Sequence, residues 1–415
     1  MSVARTAEAA TPDASRGAHD PDVGLTTLPS GLRVVSQRMD HAATVSLGIW
    51  IGAGARDELP HEHGLAHLLE HMAFKGTARR SALQIAEEIE SVGGDLNAAT
   101  SVEYTCYTAR VLGADLDLAV DILADIVTSP ALTDEELKRE KGVILQEISA
   151  VQDTPDDFVY DRFLQAAFPD QPIGRPILGT AKTVKGFTPE AIRAYLARNY
   201  HAGNMVLAAS GAVDHAQLVA LAEQHLSGLP ARPAAPLVRD PGEYRGGEAR
   251  IGSDEEQVHL VLGLPGLPFD KGAHYPLQIF ASVLGGGLSS RLFQAVREQR
   301  GLAYAIDAQH WAYSDCGVFC MSAGAGETDV AELIHVSLDE IARATRDIND
   351  EELARARAQM KVALMSGFES PSRRVDQAAH QLLSYDRLIS SEEILARLDA
   401  LTVETVRAAG ARMLA

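Results

Sequence analysis

The chain has 415 residues, 46% of them apolar and 23% charged, a composition that supports folded cores and excludes a disordered or fibrous protein. With 57 Asp and Glu against 37 Lys and Arg, the formal charge of −20 repels phosphate backbones and argues against a nucleic-acid partner. No run of about 18 apolar residues occurs, which excludes a helical membrane span.

Residues 1–23 are rich in Ala, Asp and Thr and lack the apolar core of a secretory signal, so they read as a disordered tail. Strand-like text at 45–51 is followed by a helix over 62–74, strands near 95–111, and a helix over 113–127 whose Leu116, Val120, Leu123 and Val127 keep helical spacing. A long helix over 133–153 opens on Thr133 as cap with an acidic first turn. Pro155 then allows a new helix to begin, with Asp157 and Asp161 one turn apart on one face. Pro230, Pro233, Pro236 and Pro241, with Gly242, Gly246 and Gly247, mark a linker over 230–248. It separates an N-terminal domain, 24–229, from a C-terminal one, 249–415.

Beyond the linker the order of elements repeats: strand text at 258–264, a helix from about residue 274, strands near 303–324, and a helix over 328–345. A second acidic helix opens at Asn349, where Asp350-Glu351-Glu352-Leu353 repeats Asp134-Glu135-Glu136-Leu137. This register sets Ala356 opposite Glu140 and Ala363 opposite Glu147. Strands and helices mixed in one repeated order predict two α+β domains of common ancestry, one active and one degenerate.

The chemistry concentrates in His67-Leu68-Leu69-Glu70-His71. On a helix whose apolar stripe is Leu65, Leu68, Leu69 and Met72, His67 and His71 lie one turn apart on the other side, a spacing that suits two imidazoles meeting one zinc. Glu70 is placed to take a proton from a water held by the metal. The order H-x-x-E-H is that of the inverzincins, the reverse of the commoner H-E-x-x-H. His61 and His63 lie at the helix entry in polar text and read as solvated. A catalytic zinc needs a third protein ligand. Glu140 and Glu147, two turns apart on the long acidic helix, are the candidates: one can bind metal while the other accepts a histidine N–H. Gly285-Gly286-Gly287 lacks the Gly-Lys-Ser/Thr continuation of a phosphate loop and reads as a flexible start to a helix. Cys106, Cys316 and Cys320 are too few for a disulfide framework, which points to a reducing compartment and a cytoplasmic protein. Cys316 and Cys320 read as small buried hydrophobes.

The run from His67 through His71-Met72-Ala73-Phe74-Lys75-Gly76-Thr77, with Glu147 seventy-six residues after His71, resembles the pitrilysin and mitochondrial processing peptidase family. The resemblance is nearest to the catalytic β-type subunit and its bacterial relatives. It extends through Gly94-Asp95-Leu96-Asn97-Ala98, Gly174-Arg175-Pro176-Ile177-Leu178-Gly179 and Gly285-Gly286-Gly287-Leu288-Ser289-Ser290-Arg291-Leu292-Phe293. It implies two related α+β domains per subunit with mixed or antiparallel sheets, closing as a clamshell dimer around peptide. It assigns the third zinc ligand to Glu147 and the supporting carboxylate to Glu140. Arg297 and Tyr304 become catalytic groups that stabilise charge on the substrate carbonyl from across the clamshell. Phe74, Asn97 and Ala98 become substrate-binding residues, the last two on an edge strand that pairs with peptide backbone. Asp157 and Asp161 would accept an arginine just before the cleaved bond.

The combined expectation is a zinc endopeptidase, one ion per subunit, acting on extended peptides or unfolded segments, including basic or presequence-like ones. A homodimer is expected, with a heterodimer alongside an inactive paralogue as the alternative. The rival reading is a non-catalytic subunit of the same family, and against it all four metal-site residues are present. A zinc enzyme acting on something other than peptides is the second rival, with no sequence feature pointing to it.

Overall fold

The computed structural model describes residues 22–230, 239–269 and 274–415. Positions 1–21 of the expected tail and 231–238 of the expected linker lie outside the described residues. In chain order the strands are β1 (Val23–Thr27), β2 (Arg33–Arg38), β3 (Thr44–Ile51), β4 (Asp95–Thr100), β5 (Thr105–Leu112), β6 (Met205–Gly211), β7 (Val258–Gly266), β8 (Ala303–Ala312) and β9 (Gly317–Ala325). The first six form one sheet in the order β1-β2-β6-β3-β5-β4, and the last three form another in the order β7-β9-β8. Among the described residues only β2 and β6 run parallel; every other pairing is antiparallel. The architecture is α+β, as the alternation of strands and helices predicts.

Strand period explains how the first sheet is covered. Val45, Leu47, Ile49 and Ile51 of β3 alternate onto one face and are fully buried with helices Leu65–Ala73 and Leu116–Thr128. Trp50 points the other way and is also buried, among Val35, Val206 and Ala208. What covers that second face comes from the other half of the chain: Val375, Ala378, Ala379 and Leu382 of helix Pro371–Tyr385. Two-sided burial is why β3 and β6 read as nearly continuous apolar runs rather than alternating ones.

The second sheet is covered on one side by helices His274–Gly285, Val330–Asp347 and Val403–Met413. On β7, helix Pro155–Ala167 of the first half returns the exchange, with Phe163 lying over Gly263. Gly285 is a spacer rather than a flexible start: it ends helix His274–Gly285, where a Cβ would come within 2.2 Å of the Ala308 backbone. The duplicated acidic helices are Asp134–Gln152 and Asp350–Phe368, capped by Thr133 and Asn349, whose side chains accept the N–H of Glu136 and Glu352. Ala356 is buried in the second core, whereas Glu140 occupies a buried position in the first half.

An ionic cluster ties the halves together. Arg56, with a side chain 2% exposed, donates both terminal nitrogens to Asp315 at 2.7 and 2.6 Å and one of them to Glu103 at 2.7 Å. Glu103 also accepts the backbone N–H and hydroxyl of Ser314 at 2.9 and 2.6 Å. Arg239 closes the group with a two-pronged contact to Asp57 at 2.7 and 2.8 Å. The β4–β5 turn is thereby fixed to the tip of the β8–β9 hairpin. Cys106, Cys316 and Cys320 are free and buried. Among the described residues, no helix is long and apolar enough to cross a membrane.

Candidate metal centre

Helix Leu65–Ala73 buries Leu65, Leu68, Leu69 and Met72 in the first core and leaves His67, Glu70 and His71 half-buried on its opposite side. Its start is unusual. Gly64 sits at φ +93°, and a Cβ there would lie 2.6 Å from the Leu178 carbonyl oxygen, so the Gly174–Gly179 run packs directly under the first turn. No side chain at Gly64 can cap the helix, and Glu58 replaces one. Its buried carboxylate accepts the N–H groups of Gly64 and Ala66 at 2.9 and 2.7 Å. Burial pushes the Glu58 carboxyl up to about 8 while those two N–H groups pull it down. Arg175 donates to the Glu58 carbonyl oxygen at 3.2 Å. His63 is not solvated as its polar surroundings suggest. It is half-buried and donates from Nε2 to the Pro176 carbonyl oxygen at 2.8 Å, because the Gly174–Gly179 segment folds over it. His61 is exposed.

Across from this helix, Asp134–Gln152 presents two carboxylates two turns apart. Glu147 Oε2 lies 3.7 Å from His67 Nε2, and Oε1 lies 3.6 Å from His71 Nε2. One ligand atom from each of the three residues falls within 4.8 Å of the others, and this is the metal-type cluster found among the described residues. Zinc bonds of about 2.0–2.2 Å at tetrahedral angles place ligand atoms about 3.4 Å apart, so the group fits the ion after small adjustments. The electrostatics agree. Burial first, and then the neighbouring His71, lower the His67 pKa to about 4, so its imidazole is neutral and able to ligate. Glu147 Oε2 is buried without a hydrogen-bond partner, which suits an oxygen facing a cation.

Glu140 is 5% exposed and accepts the His71 Nδ1–H at 3.0 Å, leaving Nε2 of that ring for metal. Lys75 neutralises it from 2.9 Å. Glu70 is raised above the ordinary carboxylate range by burial, with the Thr100 hydroxyl and His71 acting in the opposite sense and Glu147 adding to the rise. Thr100 Oγ1 donates to Glu70 Oε2 at 2.5 Å.

The expected substrate-binding residues take different places. Asn97 and Ala98 lie on β4, the edge of the six-stranded sheet, whose outer side carries no strand among the described residues. Asn97 is exposed and Ala98 packs against the core. Phe74 ends helix Leu65–Ala73 and packs near Tyr107, with ring centroids 6.2 Å apart. Asp157 is exposed and Asp161 half-buried on helix Pro155–Ala167. Burial raises the Asp161 pKa, Arg162 lowers it and Asp157 raises it further. With Arg162, Phe158, Ile148 and Leu178, Asp161 lines a cavity of about 290 Å³ beside the Glu147 helix. Arg297 and Tyr304 belong to the second half. The guanidinium stacks between the Phe293 and Tyr304 rings at 4.7 and 4.6 Å, and Tyr304 is 76% exposed. Their contacts are with each other and their own segment, not with the metal group. Sequence reasoning missed Glu58, Lys75 and Thr100. The available signals were a glycine at the helix start with no capping side chain of its own, and a lysine four residues after His71.

Comparison with known proteins places the insulinase model of peptidase family M16 on residues 33–181. The model of the M16 inactive domain falls on residues 186–360. An uncharacterized zinc protease of Streptomyces coelicolor is 39% identical over 394 residues, covering 93% of this chain and 86% of its own. Another from Bacillus subtilis is 35% identical over 381 residues, covering 92% and 93%. The fold is shared with a protease from Helicobacter pylori, with a TM-score of 0.88 at 22% identity over 95% of this chain and 97% of that one. It is also shared with an M16 inactive domain protein from Pseudomonas fluorescens, with a TM-score of 0.86 at 23% identity over 95% and 96%.

Proposed function

Because the chain belongs to peptidase family M16, we propose that it is an endopeptidase that cuts extended peptides or unfolded polypeptide segments at the His67, His71 and Glu147 centre. Its cofactor is Zn2+, and these three residues would hold it. Zinc held there supplies Lewis acidity, which lowers the pKa of a water to about 7 and polarises a peptide carbonyl. The observation that carries the reading is the convergence of three ligands from two helices with Glu70 on the same helix face.

The chain's own groups account for the remaining work. Glu70 takes a proton from the attacking water and returns it to the departing amine, so one water is consumed and Glu70 ends as it began. Glu140 fixes the His71 ring through its Nδ1–H. The free side of β4 accepts peptide as an added strand, holding substrate through backbone bonds and so tolerating varied sequences. The catalytic half is 24–229, the linker 230–248, and the half lacking the carboxylates 249–415. The exposure of Tyr304 and its stacking against Arg297 support a working unit in which a second copy of the chain brings Arg297 and Tyr304 to the carbonyl. An inactive paralogue is the alternative partner. Asp157 and Asp161 are the proposed acceptors of a substrate arginine. Three free, buried thiols fit a cytoplasmic setting.

The test is zinc content and cleavage of a mixed peptide pool. Glu147→Gln removes the anionic ligand at constant volume and should lose most bound zinc. Glu70→Gln should keep the metal and lose hydrolysis. Full zinc in the first variant after dialysis, or near-normal turnover in the second, would assign these roles elsewhere.

A further inference from the structure

Resting on that reading, we infer that Thr100 is a positioning residue for Glu70, through which the substrate-pairing strand sets the aim of the general base. The Glu70 carboxylate sits at the end of three side-chain torsions, and the last of them is intrinsically broad. A base on so loose an arm gains rate only if its reactive oxygen is held in one place, and displacement by about 1 Å costs on the order of 100-fold. Thr100 supplies that hold. Its hydroxyl donates to Oε2 at 2.5 Å. This donor engages Oε2 and leaves Oε1 for the proton transfer.

Thr100 is itself well anchored. It is the last residue of β4 and pairs in register with Thr105 of β5, whose hydroxyl donates to the Ala53 carbonyl oxygen at 3.0 Å. The turn that follows is held at both carbonyls, Ser101 O by Ala55 N–H at 3.0 Å and Val102 O by Arg56 N–H at 2.8 Å. Glu103 of the same turn is fixed by Ser314 and Arg56 from the ionic cluster. The strand that would pair with peptide at Asn97 and Ala98 is thus continuous, within three residues, with the donor that aims Glu70. A peptide added along β4 stiffens this strand end, so base alignment and strand occupancy are coupled.

The test compares Thr100→Val with Thr100→Ser. Valine matches threonine in shape and β-branching, so the strand persists while the hydroxyl is lost. Thr100→Val should lower kcat by roughly tenfold to 100-fold with KM and zinc content at wild-type values. Thr100→Ser, which restores the donor, should return kcat to within a few-fold of wild type. Crystal structures of the metal-free proteins give a readout independent of turnover: one Glu70 rotamer in wild type and Thr100→Ser, several in Thr100→Val. A wild-type kcat in Thr100→Val, a rise in KM alone, or a single unchanged Glu70 rotamer would each overturn the inference. If the zinc-loaded wild type cleaves no peptide, the proposed function fails instead, and the rotamer comparison still decides the role of Thr100.

Discussion

Replacing Glu140 by glutamine changes one oxygen to an amide nitrogen, and the structure dictates how the new group must sit. In the wild type the two carboxylate oxygens are divided, Oε1 facing Lys75 Nζ at 2.9 Å and Oε2 facing His71 Nδ1 at 3.0 Å. An ammonium has only donors, so the single carbonyl oxygen of the substituted side chain turns to Lys75 and its amide NH2 turns to His71. Nδ1 must then accept, which moves the ring proton to Nε2, the atom that faces Glu147. Metal binding now competes with the wrong tautomer. Losing such outer support costs about 10-fold to 100-fold in metal affinity, or about 1.4 to 2.7 kcal/mol. The assay is zinc competition against a chromophoric chelator at fixed pH, with the metal-free melting temperature as control for folding. Adding Lys75→Met frees the amide to present its oxygen to His71 and should recover much of the loss. A Glu140→Gln protein that binds zinc within about twofold of wild type would refute the tautomer argument, as would a double variant weaker than the single one.

Mixing Glu70→Gln chains with Tyr304→Phe chains should restore part of the activity, since one site of the mixed dimer then holds both intact groups; no recovery from demonstrated mixed dimers would place both functions within one chain. Peptides with Arg two residues before the cut should be cleaved faster than their Ala versions, and an unchanged ratio in Asp157→Asn/Asp161→Asn would remove these aspartates from substrate recognition. Arg56→Met strands Glu103 and Asp315 without their main cation and should cost about 3 kcal/mol in urea unfolding, with Asp315→Asn non-additive in the double variant; simple additivity would deny the cluster its role. Asp315 is raised by burial but lowered overall by Arg56, so its stabilisation is present above the unfolded aspartate value of about 3.9 and fades as pH falls through the lower folded value. Asp315→Asn should therefore flatten the acid side of the stability profile, and an identical profile would contradict the pairing.

The candidate site on this helix is legible because the helical period alone puts His67, Glu70 and His71 on one face, and because apolar residues at the intervening positions declare the buried side. Glu147 was harder. An acidic helix offers many carboxylates, and spacing alone leaves Glu140 and Glu147 open; the resemblance assigns the ligand to Glu147, and packing against helix Leu65–Ala73 sets Glu147 beside both imidazoles and Glu140 beside His71 Nδ1. The capped duplication at Thr133 and Asn349 came through in sequence, since capping is local chemistry. Three features did not. Thr100 reaches Glu70 across 30 positions, Glu58 closes a helix end through a glycine, and His63 is covered by a segment more than a hundred residues away. Each depends on tertiary approach, and neither periodicity nor composition carries that. The parallel pairing of β2 with β6 was hidden for the same reason, since nearly the whole first half separates the two strands.

Helix Pro371–Tyr385 has a thermodynamic corollary. The second face of the first sheet, with Trp50, Val35, Val206 and Ala208, is dry only because Val375, Ala378, Ala379 and Leu382 arrive from the far end of the chain. Helix Pro155–Ala167 does the reciprocal service for β7. Neither sheet completes its own burial, so loosening one strips apolar cover from the other. The molecule is in this sense a single cooperative unit built from two repeats, and it should melt in one calorimetric transition rather than two. A half-length ancestor with the same sheet could have been dry only by borrowing the helix from a second copy of itself.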